Sequence, residues 1–435
     1  MNITIENLAA CKKLMRVEVD AKAVDEVFDS VTKEFQKQAE LPGFRPGKAP
    51  REMVVKKYSA EINDEAKRKL IGENYRKAVG EKKLNVIGYP DIEEIAFGRG
   101  QNLQFAATIE TAPEFELPEY KGLPAKREDK SVTDEDVERA LKMLAQQHTK
   151  FETVARELRM GDVAVVNYNG SCEGKPITET APTARGLTEK KNFWLDIEPN
   201  AFIEGFAAQM AGAKAGEKRT VNVDFPADFV TRELQGKKGV FEVEILEVKE
   251  KVLPPMDDEF AKKYGAESLD KLRVGVRHDL ENELKESQKR SVRGQIVRTL
   301  LDKVQFELPE TPVANVTRNA VYEIVRENSR RGISRETIEK QKEEIYSAAA
   351  ANAKERVKFA FLVQRIAEKE QISVTQEDVL REAQIVAATY QIPLDKFLKD
   401  LQKRDGVHEL YDQAMREKVM EFLEKSAKIE TAPAK

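Results

Sequence analysis

The chain has 435 residues, of which 34% are charged, 40% hydrophobic and 7% aromatic, and its formal net charge at pH 7 is −4. This length predicts two to four domains, and the high charge content is typical of a helix-rich protein with much exposed surface. The negative net charge argues against general DNA binding, and no apolar run is long enough for a membrane span. The sequence opens without the features of a signal peptide, and its two cysteines are expected as free thiols, so we expect a cytoplasmic protein.

The first 110 residues predict a compact α+β domain. Apolar residues recur at three- and four-residue steps in the helical segments and alternate in the strands, and Asp20 is the expected N-cap of the first helix. In chain order we expect strands within residues 1–20, helices at about 20–39, 50–57 and 60–83, and strands at 92–97 and 103–109.

A loop at residues 41–50 separates the first two helices and reads Leu-Pro-Gly-Phe-Arg-Pro-Gly-Lys-Ala-Pro. Its glycines and prolines predict a shaped loop rather than a continuation of either helix. Phe44, beside Arg45 and close to Lys48, would give the loop an apolar anchor together with positive charge for a negatively charged partner. The alternative is that Phe44 folds back onto its own domain, and residue types alone do not decide between the two.

Cations outnumber acids around this loop. A positive face of this kind would attract RNA phosphates, although solvation at a helix surface explains most of the lysines equally well. The cations are Lys33, Lys37, Arg45, Lys48, Arg51, Lys56 and Lys57, against Glu34, Glu40 and Glu52.

The middle of the chain predicts a linker followed by a small β domain. Residues 111–131 are rich in proline and charge and are expected as an extended linker, after which Thr133 begins a helix. From residue 151 the apolar period changes to two, which predicts an antiparallel β domain ending near residue 249. Its clearest strands are expected at 163–168, 221–225 and 241–245.

The remainder predicts an all-α region that starts after Pro254-Pro255. No phosphate loop, CxxC, HExxH or EF-hand pattern is present in the sequence, so we expect no cofactor and no metal. After a long helix from about residue 269 to 304, we expect helices at about 313–331, 334–370, 375–390, 394–403 and 406–427 and a frayed tail at 431–435.

The motif at residues 43–50 resembles the ribosome-docking signature of the trigger factor family, bacterial chaperones that work at the polypeptide exit tunnel. Pro46 stands where that family often has lysine, which removes one cation from the tip. Residues 116–123 (Glu-Leu-Pro-Glu-Tyr-Lys-Gly-Leu) resemble the family at the same place. By this resemblance the docking residues are Gly43, Phe44, Arg45, Pro46, Gly47 and Lys48.

The β domain resembles prolyl isomerases of the FK506-binding type, through landmarks such as Phe-Ile-Glu-Gly-Phe at residues 202–206. The resemblance implies an apolar catalytic pocket, although each of its residues could instead belong to the core of the domain. Two departures, at Ile177-Thr178 and in the longer, more polar segment 179–190, imply a slow isomerase or a pocket that mainly binds peptide. The implied pocket residues are Tyr168, Phe193, Ile203, Phe206, Phe229 and Phe241.

The resemblance covers the whole chain and implies a multidomain α+β fold: an α+β ribosome-binding domain (1–112), a linker and helix (113–150), an FK506-binding-like domain (151–249), an all-α domain with arm-like helices (250–430) and a tail (431–435). It implies an ATP-independent chaperone that docks on the large ribosomal subunit, through ribosomal protein and rRNA, and shields nascent and unfolded polypeptides. It also implies a weak homodimer when free and roles in protein transport and cell division. The alternative is a free prolyl isomerase or holdase with weak or no ribosome docking.

Overall fold

The structure is a computed structural model that describes residues 1–42, 44–45, 47–199, 201–403 and 406–433, without the side chains of residues 94 and 95. The chain forms two compact units. The first combines residues 1–129 with residues 288–435, and the second contains residues 130–287.

The N-terminal part of the first unit is an antiparallel sheet covered by helices. The strands lie in the order β1-β2-β4-β3, and Met15, Phe28 and Phe105 are buried in the core between the sheet and the helices. The predicted helices are confirmed to within two residues at their ends. The elements are β1 (Asn2–Ala9), β2 (Lys12–Val19), α1 (Ala21–Gln38), α2 (Arg51–Lys57), α3 (Ser59–Glu81), β3 (Val86–Ala96), β4 (Leu103–Thr111) and β5 (Pro124–Asp129).

The second unit contains a six-stranded antiparallel sheet. β11 lies between β10 and β7 and also pairs with β6, whereas β7 also pairs with β8 and β9. Thr133 caps α4 in a reciprocal capping box with Asp136, as the sequence predicts. The elements are α4 (Asp134–Gln146), β6 (Lys150–Thr153), β7 (Val163–Cys172), β8 (Lys175–Pro176), α5 (Ile177–Thr180), α6 (Arg185–Thr188), β9 (Glu189–Asp196), α7 (Phe206–Met210), β10 (Lys218–Asp224), a 3-10 turn (Arg232–Leu234), β11 (Lys238–Val252) and α8 (Asp258–Lys262).

The rest of the chain is helical, which confirms the expected fold class. Ile296, Leu362 and Leu423 are fully buried where α9, α12 and α15 meet. The helix expected at 334–370 is broken at Gln341 into two helices. The elements are α9 (Leu269–Asp302), α10 (Glu310–Arg330), α11 (Arg335–Lys340), α12 (Lys342–Glu370), α13 (Gln376–Thr389), α14 (Leu394–Lys403), α15 (Val407–Ser426) and β12 (Lys428–Pro433).

The segments expected as a linker (residues 111–131) and as a tail both contain residues that pack or pair with other parts of the first unit. Tyr120 and Leu123 are buried against the C-terminal helices, and the Tyr120 hydroxyl donates to Glu370 Oε1 at 2.7 Å. Burial and the Glu370 carboxylate raise the pKa of Tyr120 to about 12. The expectation of a frayed tail is wrong for residues 431–433, because β12 pairs with β5 in a parallel ladder.

One local expectation in the N-terminal domain is met only in part. Asp20 is the N-cap residue of α1, but its side chain makes no capping hydrogen bond and instead accepts one from the amino group of Met1 at 3.4 Å. Cys11 lies in the turn between β1 and β2, and both Cys11 and Cys172 are buried free thiols.

Candidate functional sites

The loop at residues 41–50, hereafter the docking loop, is fixed at both ends. Leu41 and Ala49 are buried in the N-terminal core, and the Gln36 side chain donates to the Ala49 carbonyl at 2.8 Å. Gly47 has a φ of +80°, and a Cβ at this position would lie 3.4 Å from the Lys37 carbonyl oxygen. A glycine is therefore favoured where the loop returns past the end of α1.

The described part of the tip is exposed. Phe44 is 38% exposed, and both Arg45 and Lys48 are exposed. Two backbone turns hold this segment, with Phe44 N donating to Leu41 O at 3.1 Å and Lys48 N donating to Arg45 O at 3.0 Å. The remaining two sequence-predicted docking residues, Gly43 and Pro46, lie outside the described residues.

Two of the cations that flank the docking loop, Arg51 and Lys57, form hydrogen bonds within their own domain. Arg51 and Arg99 both donate to the carboxylate of Asp29, which sequence analysis did not single out. The hydrogen bond from Arg51 holds the pKa of Asp29 below its usual range, against the opposing effect of burial. Lys57 donates to the Glu40 carbonyl at 2.9 Å, so its ammonium group also has a partner within the domain.

Four of the six predicted pocket residues meet in the second unit. Tyr168 on β7, Phe193 on β9 and Phe241 on β11 point to the same side of the sheet, and Phe206 closes that side from the start of α7. The centroid distances are 5.6 Å for Tyr168–Phe193, 5.9 Å for Tyr168–Phe241 and 5.4 Å for Phe206–Phe241. These distances are typical of favourable aromatic contacts.

The other two predicted residues lie differently. Ile203 is buried in the same core, and its carbonyl accepts a hydrogen bond from Phe206 N at 3.0 Å. The half-buried Phe229 ring packs on Phe225, with the centroids 4.9 Å apart. Phe229 therefore lies in the loop that follows β10 and packs on a neighbouring part of the core.

Phe202 is the aromatic residue that sequence reasoning missed. Its ring contacts the rings of the four converging residues, Tyr168, Phe193, Phe206 and Phe241. We call these five residues the aromatic cluster: Tyr168, Phe193, Phe202, Phe206 and Phe241. Phe202 is the first residue of the Phe-Ile-Glu-Gly-Phe motif, of which the resemblance implies only the second and last residues as pocket residues.

The segment that departs from the expected pattern closes one side of the cluster. Ile177 is fully buried in the core, and the Tyr168 hydroxyl donates to the carbonyl of Gly186 on α6. The close contact of this segment with β7 requires a glycine at position 170, since a Cβ there would lie 2.2 Å from the Leu187 carbonyl oxygen and 2.7 Å from the Phe241 ring.

Gly170→Ala is expected to destabilise the second unit by about 3 kcal/mol, because the added methyl group must displace a backbone carbonyl and a buried ring. Urea unfolding of the full chain, followed by the fluorescence of its single tryptophan, Trp194 on β9, measures this change. Gly186→Ala is the matched control, since its added Cβ meets no atom of the described residues within 4 Å. An unchanged unfolding midpoint for Gly170→Ala would show that the backbone at Gly170 is not tightly packed against Leu187 and Phe241.

A charged pair supports the same domain at the entrance to β7. Arg156 donates to both carboxylate oxygens of Asp162, at 2.6 and 2.9 Å, and Arg159 N donates to the same carboxylate at 2.8 Å. Burial raises the pKa of Asp162, but these hydrogen bonds and the Arg156 charge outweigh it and hold the pKa below its usual range.

Family models match three segments of the chain. Residues 1–144 match "Bacterial trigger factor protein (TF)", residues 268–425 match "Bacterial trigger factor protein (TF) C-terminus", and residues 154–246 match "FKBP-type peptidyl-prolyl cis-trans isomerase". The trigger factor of Opitutus terrae is 33% identical over 443 residues, covering 100% of both chains. The chain belongs to the trigger factor family.

Two further relatives are also trigger factors. The trigger factor of Geobacillus thermodenitrificans is 34% identical over 94% of this chain and 96% of its own, and that of Caldicellulosiruptor bescii is 30% identical over 99% and 97%. A solved structure titled "Promiscuous Substrate Recognition in Folding and Assembly Activities of the Trigger Factor Chaperone" aligns with 98% of this chain at 18% identity and a TM-score of 0.47.

This member of the trigger factor family is thus a chaperone of that family with an FKBP-type isomerase domain, and the aromatic cluster lies in that domain. Rotation about a prolyl peptide bond has a barrier of about 18–20 kcal/mol, because amide resonance is lost as the bond twists. Water stabilises the planar, charge-separated amide, so apolar walls that exclude water favour the twisted form. Aromatic rings suffice for this, and the reaction requires neither a nucleophile nor a base.

No helix in the described part of the chain combines the length and apolarity needed to cross a membrane.

Proposed function

We propose that this trigger factor family member docks on the large ribosomal subunit near the exit tunnel through the docking loop. The observation that carries the proposal is the exposed Phe44 at the tip of a loop whose ends, Leu41 and Ala49, are buried. Such a loop presents an apolar anchor at low entropic cost, since its backbone is already held by turns. The exposed Arg45 and Lys48 suit a partner surface of ribosomal protein and rRNA phosphates.

We infer that six apolar side chains form the substrate pocket of the isomerase domain: Tyr168, Phe193, Ile203, Phe206, Phe229 and Phe241. The packing of these buried and half-buried apolar side chains in one core, together with the match of residues 154–246 to FKBP-type isomerases, supports the inference. Proline-containing segments of nascent or unfolded polypeptides are the proposed substrates.

We infer further that the C-terminal helices hold nascent and unfolded chains. Large apolar side chains are exposed there singly among abundant charges, which suits weak, general binding of polypeptides without self-aggregation. Those side chains include Tyr322, Tyr346, Leu380, Ile385 and Tyr390. The domain boundaries at 112, 150, 249 and 430, cytoplasmic location, a weak homodimer and roles in transport and cell division stay proposals from the sequence.

The double substitution Phe44→Ala with Arg45→Ala is expected to weaken ribosome binding at least tenfold, or about 1.4 kcal/mol, because it removes both the anchor and an adjacent charge. Co-sedimentation of the full chain with bacterial ribosomes, at low and moderate salt, measures the effect. The salt dependence should also become shallower in the variant, since one phosphate-binding cation is lost.

Tyr89→Ala with Lys82→Ala is the matched control, because it removes an exposed aromatic residue and an exposed cation elsewhere in the same domain. The control should bind like the wild type. Normal binding by the Phe44/Arg45 variant would refute the docking assignment. A wild-type protein that does not sediment with ribosomes would instead favour a free isomerase or holdase.

A further inference from the structure

The ring of Phe202 lies at the centre of the aromatic cluster. It contacts all four of the other members, in edge-to-face and tilted arrangements, and is itself half-buried. Its centroid lies 5.3 Å from that of Tyr168, 5.5 Å from Phe193, 5.0 Å from Phe206 and 5.9 Å from Phe241. No other member contacts all of the rest among the ring pairs of the described residues.

The backbone of Phe202 is in the left-handed region, with a φ of +65°. This conformation is costly for a bulky side chain and persists only where surrounding contacts compensate for it. Short turns flank it, with Ala201 N donating to Glu198 O at 3.1 Å and Phe206 N donating to Ile203 O at 3.0 Å. The strained backbone thus turns the Phe202 ring inward, and the four ring contacts are what stabilise it there.

We propose that Phe202 is a specificity-determining residue that occupies its own substrate pocket, so that a prolyl ring binds only when the Phe202 ring moves out. This inference rests on the proposed isomerase pocket. A flat apolar ring surrounded by the other four side chains fills the space that a prolyl ring between the same walls would need. Relief of the left-handed backbone conformation favours the open state, whereas loss of the four ring contacts opposes it.

This arrangement has two consequences for catalysis. The apparent affinity for substrate is lowered by the fraction of molecules in which the pocket is open. Because the cost of displacing Phe202 is the same in the substrate complex and in the transition state, KM rises and kcat does not change. In addition, the displaced ring is an exposed apolar surface, so substrates with a large apolar residue before the proline should cover it and bind better.

The test uses the full chain as wild type, Phe202→Ala and Phe202→Leu, with chromogenic tetrapeptide nitroanilides that carry either alanine or leucine before the proline. For the alanine peptide, Phe202→Ala should lower KM at least fivefold with kcat within twofold of wild type, and the preference for leucine should shrink. Phe202→Leu keeps an apolar side chain in the pocket but has no planar ring, so its KM should lie between those of the wild type and Phe202→Ala. Met160→Ala removes a large apolar side chain that is 48% exposed in the same unit, and it should behave like the wild type.

Circular dichroism and Trp194 fluorescence establish that each variant is folded, and ring-to-ring nuclear Overhauser effects between Phe202 and Tyr168 report the closed pocket directly. Those effects should be present in the free protein and lost with saturating peptide. Activity in Phe202→Ala with none in the wild type would also support the proposal. An unchanged or raised KM in folded Phe202→Ala, beside an active wild type, would overturn it and leave the isomerase pocket intact. No activity in either protein would overturn the pocket and this inference together.

Discussion

Phe206→Ala is expected to lower the free energy of unfolding of the second unit by about 3–5 kcal/mol. The side chain is fully buried, and its ring contacts Phe202 at 5.0 Å and Phe241 at 5.4 Å. Removing it takes away a large apolar surface and leaves a cavity that the rigid sheet cannot close. Urea unfolding of the full chain, followed by Trp194 fluorescence, reports on this unit because the chain has a single tryptophan.

Phe44→Ala provides the control for this measurement, since it removes the same side chain from an exposed position in the other unit and should leave the Trp194 transition unchanged. A Phe206→Ala midpoint equal to that of the wild type would contradict the packing described above. The expected instability also means that lost catalysis in Phe206→Ala would not by itself identify a pocket residue. Phe206→Leu, which keeps most of the apolar volume, separates the two causes.

Much of the fold could be predicted because its elements have local patterns. The apolar stripe of Val24, Phe28 and Val31 predicts α1, and the capping residue Thr133 predicts the start of α4. The pairing of β5 with β12 could not be predicted in this way. The two segments lie about 300 residues apart, and neither shows an alternating apolar pattern, so only their contact in the folded chain reveals them.

The candidate sites were predicted through motifs, and the structure shows where motifs stop being informative. Tyr168, Phe193 and Phe241 share one face of the sheet because side chains alternate between the two faces along a strand. Phe206 joins them from the start of α7. The direction of the Phe202 ring depends instead on a positive φ, which no spacing of residues encodes. Asp29 was missed for a related reason, since its partners Arg51 and Arg99 come from two distant segments.

Asp162→Asn is expected to destabilise the second unit by about 3 kcal/mol at pH 7, because Arg156, whose side chain is 24% exposed, loses its main ionic partner. The Asp162 side chain is only 6% exposed and accepts two hydrogen bonds from Arg156 and one from Arg159 N. The expected loss lies at the low end for a buried pair, since Arg156 keeps Glu250 at 3.4 Å. Asp196→Asn, at an exposed ion pair with Lys251, should cost less than about 1 kcal/mol.

The pH dependence distinguishes the charge of Asp162 from its packing. Because the pKa of Asp162 is lower in the folded state than in the unfolded chain, its stabilising contribution is complete above the unfolded value of about 4 and is lost as the pH falls through the folded value. The wild-type unfolding free energy should therefore approach that of Asp162→Asn as the pH falls below about 4. A difference in unfolding free energy between the two proteins that stayed constant over this pH range would show that Asp162 stabilises the domain through packing and not through its charge. Convergence would show that the bidentate contact with Arg156 is an ion pair that helps to hold β7, and with it Tyr168, in the aromatic cluster.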